Sequence, residues 1–213
     1  MNISFYVSGR AGRLRKILEE ASPSTLKLIK IVVCDNLKNE DLHQLLSKHD
    51  IKMVSFDYKT LSPERKQRNK VLSDKLNSLF KENNIDYCFC FGDHILEGQL
   101  LKDYENRIIN FHPSILPMFP GLMAIDQAIN AGAKVLGNTA HFIDEEVDTG
   151  SIIMQNIVSY QFFEKYGYDG LLNLQVPMFN KILDSLINNT LIINNGKVTL
   201  KNYNYDSVVF FPE

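Results

Sequence analysis

The chain has 213 residues, 45% of them hydrophobic and 23% charged, which is ordinary globular composition and excludes a disordered chain, a collagen or a coiled coil. Its 23 basic and 25 acidic residues give a net charge of −2, so no basic excess favours nucleic acid or anionic lipid as a partner. No apolar run approaches the roughly 20 residues of a membrane span, and we see no signal peptide. Three cysteines cannot all pair, and Cys88 and Cys90 alternate with aromatic residues as in a buried strand, so we expect a cytoplasmic protein.

The first half of the chain alternates short apolar runs with segments of helical spacing. Strands are predicted at residues 3–7, 27–35, 51–57, 85–92 and 107–112. Helices are predicted after the first strand, near residues 41–46, and from Ser62-Pro63-Glu64, a sequence typical of a helix start. This alternation predicts an α/β fold with a mostly parallel, Rossmann-like sheet covered by helices on both faces.

The second half has a different pattern. Residues 135–143 and 151–160 resemble an antiparallel pair of strands, and a helix is predicted to contain 171–187. Asn195-Gly196 stands between two short apolar runs, which is a strong hairpin signal. We therefore expect one domain over 1–213, with a C-terminal antiparallel extension.

Two clusters of polar residues could carry chemistry. Asn110 and His112 alternate at the end of a predicted strand, so their side chains share a face, and three prolines stiffen the loop that follows. Residues 144–148 contain four acids near Gly150. Taken singly, such residues are more often structural or solvated than catalytic, and that reading holds for His43 and His49. Taken together they form a constellation that suggests catalysis.

The order of these residues resembles a known family. The motif begins with Asn110-Phe-His112-Pro113-Ser114. It continues with Leu116-Pro117, Pro120-Gly121, Gly137-x-Thr139-x-His141 and Asp148-x-Gly150. This order is similar to that of the 10-formyltetrahydrofolate-dependent formyltransferases, and nearest to the glycinamide ribonucleotide branch. The resemblance runs over roughly residues 1–160, and it places the catalytic triad of the family on Asn110, His112 and Asp148.

The resemblance implies a formyl transfer from 10-formyltetrahydrofolate to a primary amine, with no metal required. Asn110 and His112 would donate to the oxyanion that develops on the formyl group, and Asp148 would hold His112 charged or accept a proton through water. The half at 1–110 would bind the acceptor or a nucleotide, and the half at 111–213 would carry the folate and the catalysis.

The resemblance also implies binding residues. Those for the folate are Phe91, Asp93, His94, Ile95, Leu96, Arg107, Asp144 and Val147. Those for the acceptor are Gly9, Arg10, Gly12, Arg13, Pro113 and Ser114. Arg68 also matches a family arginine by rough alignment, although it fits surface charge equally well. We expect the turn at 9–13 to lie far from the folate segment at 91–96.

Two departures from the glycinamide branch bear on the acceptor. The first turn in that branch is like Gly-x-Gly-Ser-Asn, whereas here it is Ser8-Gly9-Arg10-Ala11-Gly12-Arg13, so the Ser-Asn pair is lost and two arginines appear. In addition, no acid stands near Leu174 or Gln175, the region where the branch has a glutamate that contacts the substrate. We therefore expect a small phosphorylated or nucleotide-linked acceptor, such as a dTDP- or GDP-linked 4-amino sugar. The alternatives are glycinamide ribonucleotide, hydrolysis of the formyl folate, and folate binding without catalysis. The partners expected are small molecules, with no nucleic acid or membrane, and the sequence is compatible with a homodimer.

Overall fold

The computed structural model of the chain describes residues 1–206. A seven-stranded sheet has the order β3-β2-β1-β4-β5-β6-β7, and β8 and β9 form a second sheet. The strands are β1 Ile3–Val7, β2 Ile29–Cys34, β3 Lys52–Ser55, β4 Tyr87–Phe91, β5 Ile108–His112, β6 Val135–Phe142, β7 Ile152–Ser159, β8 Leu191–Asn194 and β9 Lys197–Leu200. The helices are α1 Gly12–Glu20, α2 Pro23–Leu28, α3 Glu40–Ser47, α4 Arg68–Glu82, α5 Gln99–Asp103, α6 Ala124–Asn130, α7 Tyr160–Asn173 and α8 Gln175–Ile187. The predicted fold class, a mostly parallel α/β sheet with an antiparallel extension, is confirmed.

The chain forms two compact units, and the organisation as a single domain stays a prediction. The first unit contains residues 1–110 with 143–145, and the second contains 111–142 with the described residues from 146 onward. In the first unit β1 lies between β2 and β4 and runs parallel to both. All five residues of β1 are buried, as expected for a strand covered on both faces. The segments that follow β1, β2 and β4 consequently meet at one edge of the sheet, where ligands of parallel sheets bind.

One predicted helix start in the first unit is wrong. The helix expected from Ser62 begins only at Arg68, after a short 3₁₀ turn at Arg65–Gln67. The hydroxyl of Ser62 accepts a hydrogen bond from the backbone of Glu64 at 3.2 Å, but Glu64 itself is extended, with ψ of 110°. Serine and proline therefore shape a turn that precedes α4. Arg68 Nε closes this turn by donating to Ser62 O at 2.9 Å.

The second unit contains the two predicted antiparallel pairs. Strand β6 pairs with β7 over residues 135–141, and β8 pairs with β9. Asn195 and Gly196 have φ angles of 48° and 74°, which the tight hairpin turn requires. The helix predicted across 171–187 is instead two helices, α7 and α8, which meet at Leu174, and α7 already begins at Tyr160.

Gly137 on β6 provides a test of packing in the second unit. A Cβ at this position would lie 2.0 Å from Asn156 O on β7 and 3.0 Å from the side chain of Ile115. We expect Gly137→Ala to lower the free energy of unfolding by about 1–3 kcal/mol, because the two strands must separate. Gly12→Ala is the matched control, since its Cβ would meet nothing within 4 Å. Urea denaturation of both variants measures the difference, and equal midpoints would contradict this view of the β6–β7 contact.

The three cysteines are free and buried, which confirms the interpretation of Cys88 and Cys90 as interior strand residues. Burial raises the pKa of the Cys88 thiol and raises that of Cys90 to about 12, so both stay protonated and unreactive near neutral pH. Within residues 1–206 no helix is both long enough and apolar enough to cross a membrane.

Candidate active site

The centre of the candidate site is a buried pair of ionisable side chains in the second unit. His112 is the last residue of β5, and its Nδ1 lies 3.2 Å from Asp148 Oδ2. The His112 and Asp148 side chains are only 6% and 11% exposed. The structure thus brings together two of the three catalytic residues that the sequence predicted. The third, Asn110, is half-buried in the first unit, two positions before His112 on the same strand.

Both ring nitrogens of His112 face hydrogen-bond acceptors. Nδ1 faces the Asp148 carboxylate, and Nε2 lies 2.9 Å from the carbonyl oxygen of Phe119. A carbonyl oxygen and a carboxylate both accept, so this arrangement suits an imidazolium that donates from both nitrogens. Because Asp148 holds Nδ1, Nε2 is the nitrogen that can exchange Phe119 O for an atom of a substrate.

Three further groups orient Asp148. The backbone N–H of Gly121 donates to Oδ2 at 2.7 Å, and His141 Nε2 lies 3.5 Å from Oδ1. Burial alone would raise the pKa of Asp148. The hydrogen bonds from His141 and Gly121, with the charges of His112 and His141, outweigh burial and hold that pKa below its ordinary value. The carboxylate is therefore ionised at neutral pH and serves as a fixed negative partner for His112.

The structure assigns a task to each residue of Gly137-x-Thr139-x-His141. These residues alternate along β6 and share a face. Gly137 leaves room for Asn156 and Ile115, as described above. The hydroxyl of Thr139 donates to Ser114 O at 2.7 Å and accepts from the Leu116 N–H at 2.9 Å, which fixes the loop after His112. His141 lies beside Asp148.

His141 is the residue of this centre that sequence reasoning left unassigned. It stands inside the quoted motif, and its alternation with Thr139 was the signal that could have identified it. Its Nδ1 lies 2.8 Å from Phe142 O, and the side chain is 2% exposed. With its Nε2 beside Asp148 and its Nδ1 beside Phe142 O, His141 supports the Asp148 carboxylate from the protein interior.

The glycine turn of the first unit holds the predicted acceptor residues Gly9, Arg10, Gly12 and Arg13 between β1 and α1. Asn36 and Asn39 both donate their side-chain amides to Gly9 O, at 3.2 Å and 3.0 Å. Arg15 Nε donates to Arg10 O at 2.9 Å. These bonds occupy the carbonyl groups of the turn, and the exposed Arg10 side chain stays at the surface.

The expected separation between this turn and the folate segment is wrong. Arg13 Nη2 donates to Phe91 O at 3.4 Å, and the guanidinium lies 4.8 Å from the centroid of the Phe91 ring. In addition, the backbone N–H of Asp93 donates to Ser8 Oγ at 2.9 Å. The two segments meet because β1 and β4 are neighbours in the sheet, which linear distance along the chain conceals. Burial lowers the pKa of Arg13, so this side chain is not plain surface charge.

The predicted folate segment at 91–96 has mixed exposure. Phe91 and Leu96 are buried, whereas Asp93 is exposed and Ile95 is 53% exposed. His94 stacks on Tyr58 with ring centroids 3.4 Å apart, and its Nε2 lies 3.4 Å from Asp35 Oδ2. Sequence reasoning missed both of these partners because each follows a different strand.

The other predicted binding residues differ in their surroundings. Arg107 and Asp144 are exposed in the first unit, and Val147 is 50% exposed in the second. Pro113 is half-buried. Ser114 is buried and donates its hydroxyl to Met118 O at 2.6 Å, so this hydroxyl already stabilises the loop.

The stretch at Leu174 and Gln175, where the resemblance implies a glutamate in the glycinamide branch, contains a structural amide. Gln175 is fully buried at the start of α8, and its Nε2 donates to Asn138 Oδ1 at 2.8 Å and to Phe111 O at 3.4 Å. Its neighbours from 171 to 183 include no acid. The second unit therefore offers no carboxylate from this stretch to an acceptor.

The fold and the site together define an α/β protein with a mostly parallel sheet, whose fifth strand ends in a buried histidine paired with a carboxylate, with an asparagine two positions earlier. The chain belongs to the formyl transferase family, whose model matches residues 1–161. This confirms the family resemblance based on the 110–150 motif.

Relatives of this chain include formyltransferases and a deformylase. Phosphoribosylglycinamide formyltransferase of Bacillus subtilis is 54% identical over 64 residues, which cover 30% of this chain and 33% of that protein. Formyltetrahydrofolate deformylase of Haemophilus influenzae is 27% identical over 167 residues, which cover 76% of this chain and 57% of that protein. The chain thus aligns with less than two thirds of either relative. Glycinamide ribonucleotide transformylase 1 from Symbiobacterium toebii has a similar structure, with a TM-score of 0.79, 25% identity, and coverage of 94% of this chain and 93% of that one.

Proposed function

We propose that this protein transfers a formyl group from 10-formyltetrahydrofolate to the primary amine of a small phosphorylated acceptor. The buried pair of His112 and Asp148 carries the proposal. A bound folate would supply the formyl carbon. The transfer forms a bond between that carbon and the amine nitrogen and breaks the bond between that carbon and the folate nitrogen. One proton moves from the amine nitrogen to the folate nitrogen.

His112 and Asn110 are suited to the charge and proton changes of this reaction. His112 Nε2 would leave Phe119 O and donate to the formyl oxygen, while Asp148 keeps the ring protonated and oriented. Asn110 carries a side-chain amide that can donate to the same oxygen without changing charge. Asp148 would accept the amine proton through water, and only an ionised carboxylate can do this at neutral pH.

The first unit has exposed side chains of suitable character for a folate. Ile95 exposes about half of its apolar surface, which suits the flat pterin ring. Arg107 offers an exposed positive charge for the carboxylates of a folate tail. The backbone at 91–96 would hold the ring, since Phe91 and Leu96 are buried and anchor that segment.

The acceptor proposal has two candidates. The relatives named phosphoribosylglycinamide formyltransferase support glycinamide ribonucleotide. The altered glycine turn and the buried Gln175 support a different amine, such as a nucleotide-linked 4-amino sugar. Both carry phosphate, which the backbone amides at the start of α1 and the side chain of Arg10 would bind.

Hydrolysis is the second candidate function, and the deformylase relative with 76% coverage of this chain favours it. The same pair of His112 and Asp148 would then act on water in place of an amine. One experiment separates the two reactions: the purified protein is incubated with 10-formyltetrahydrofolate and either no amine, glycinamide ribonucleotide, or dTDP-4-amino-4,6-dideoxyglucose. We expect tetrahydrofolate release to require an amine. Equal release without an amine would establish hydrolysis and overturn the proposed transfer.

The arginines of the glycine turn give a prediction about the acceptor. Arg10→Ala should raise the acceptor KM roughly two- to fivefold, and the effect should shrink as salt rises, because Arg10 is exposed. Arg10→Ala should leave the folate KM unchanged. Arg13→Ala should raise both KM values, since Arg13 also contacts Phe91. Steady-state kinetics at two salt concentrations measure this, with the exposed Arg65→Ala as the matched control. If Arg10→Ala leaves the acceptor KM unchanged, Arg10 does not bind the acceptor and is a surface charge only.

A further inference from the structure

Asp35 is a buried carboxylate at the edge of the sheet where the glycine turn lies. It directly follows β2, and its side chain is only 5% exposed. Three groups converge on one of its oxygens, Oδ2: the hydroxyl of Tyr6 at 2.9 Å, the hydroxyl of Ser8, and His94 Nε2 at 3.4 Å. A buried carboxylate with several donors on one oxygen is fixed in orientation.

The second oxygen, Oδ1, has a different environment. Within residues 1–206 no hydrogen bond to Asp35 Oδ1 is present. Among the described residues, Ser4 Oγ and Asn77 Oδ1 are the side-chain atoms that are both fully buried and without a hydrogen-bond partner. Asp35 Oδ1 also lacks a partner but is not one of these atoms, so it is not fully buried. Oδ1 therefore keeps the small solvent contact of this side chain. A carboxyl oxygen with this combination of rigidity and access is a ready acceptor for a donor on a ligand.

The surroundings determine what that donor can be. Ser8, which donates to Asp35, begins the turn that we propose binds phosphate, and the adjacent Asn36 donates to Gly9 O. A phosphate is repelled by a carboxylate, so the group at Oδ1 must be a hydrogen-bond donor a few ångströms along the same ligand. A sugar hydroxyl meets both requirements. An acid after the second strand binds ribose hydroxyls in the same way in doubly wound dinucleotide-binding folds.

We propose that Asp35 Oδ1 accepts a hydrogen bond from a sugar hydroxyl of the phosphorylated acceptor, and so selects acceptors that carry a hydroxylated sugar next to their phosphate. This rests on the proposed phosphate site at the glycine turn. Tyr6, Ser8 and His94 position the carboxylate and do not contact the sugar. Asp35 thereby supplies the first unit with an acceptor-binding acid, a role that the buried Gln175 does not fill.

Binding of two simple probes tests this inference without any formyl transfer. Ribose 5-phosphate is compared with tetrahydrofurfuryl phosphate, which has the same ring and phosphate but no ring hydroxyls, by isothermal titration calorimetry. The wild-type protein should bind ribose 5-phosphate about tenfold more tightly, as expected for one hydrogen bond to a charged group. Asp35→Asn and Asp35→Ala should reduce this preference to about twofold or less while the affinity for tetrahydrofurfuryl phosphate stays the same.

Two controls make the result specific. Asp41→Asn, an exposed acid on α3, should keep the tenfold preference, and Arg10→Ala should weaken both probes equally. Circular dichroism establishes that the Asp35 variants are folded. If they are not, the wild-type comparison still decides, because equal affinity for the two probes, or binding of neither, overturns the inference. A retained preference in folded Asp35→Ala also overturns it. A clear preference in a protein that transfers no formyl group would refute the proposed function and leave this inference standing.

Discussion

His112→Ala should lower the turnover of the formyl transfer by about 10²–10⁴-fold, the range usual for loss of a proton-transfer group or an oxyanion donor. The histidine is buried, is held at Nδ1 by Asp148, and has Nε2 as its exchangeable nitrogen. Alanine removes both nitrogens and leaves Asp148 without this partner. Single-turnover measurement of tetrahydrofolate release gives the rate.

The binding of a folate analogue should change little in this variant, because the side chains proposed to hold the folate are elsewhere. His43→Ala is the control, since His43 is exposed on α3 and should keep the wild-type rate. Turnover of His112→Ala within a few fold of the wild type would show that the proposed catalytic assignment is wrong.

Asp148→Asn should lower turnover by a comparable factor of about 10²–10⁴. Asparagine keeps the shape of the side chain, but it cannot hold His112 as an imidazolium or accept a proton. It also places an amide between His112 and His141, both of which the carboxylate now faces. Glu145→Gln, an exposed acid three positions earlier, should retain activity. Nearly normal turnover of Asp148→Asn would mean that the carboxylate only shapes the loop.

The same substitution has an expected signature in stability against pH. The folded state holds the pKa of Asp148 below its ordinary value of 3.8. A group with a depressed folded pKa stabilises the protein above its unfolded pKa, and this stabilisation is lost as pH falls through the folded pKa. The wild type should therefore exceed Asp148→Asn in free energy of unfolding at pH 6, and the difference should shrink below about pH 3.8. A difference that stays constant with pH would contradict the depressed pKa.

Several features of this protein follow from local sequence signals. Alternating apolar residues predicted β1 and β4, and Asn195-Gly196 predicted the β8–β9 hairpin, because strand burial and turn conformation depend on residues close along the chain. Local signals failed at Ser62. There the capping pattern was present, but the extended backbone at Glu64 delayed α4 to Arg68.

The sequence by itself determined the fold class, the family and the catalytic candidates, since Asn110 and His112 are two residues apart on one strand and the family motif is read in order. Only the tertiary structure decided which distant residues meet. Asp148 contacts His141 as well as His112. The Arg13 guanidinium lies over the Phe91 ring. The Asp35 carboxylate contacts the side chains of Tyr6, Ser8 and His94. The contacts of Arg13 and Asp35 join residues near the ends of β1, β2 and β4, which parallel pairing brings to one edge whatever their separation along the chain. Asp148 instead lies in the connection between the antiparallel strands β6 and β7.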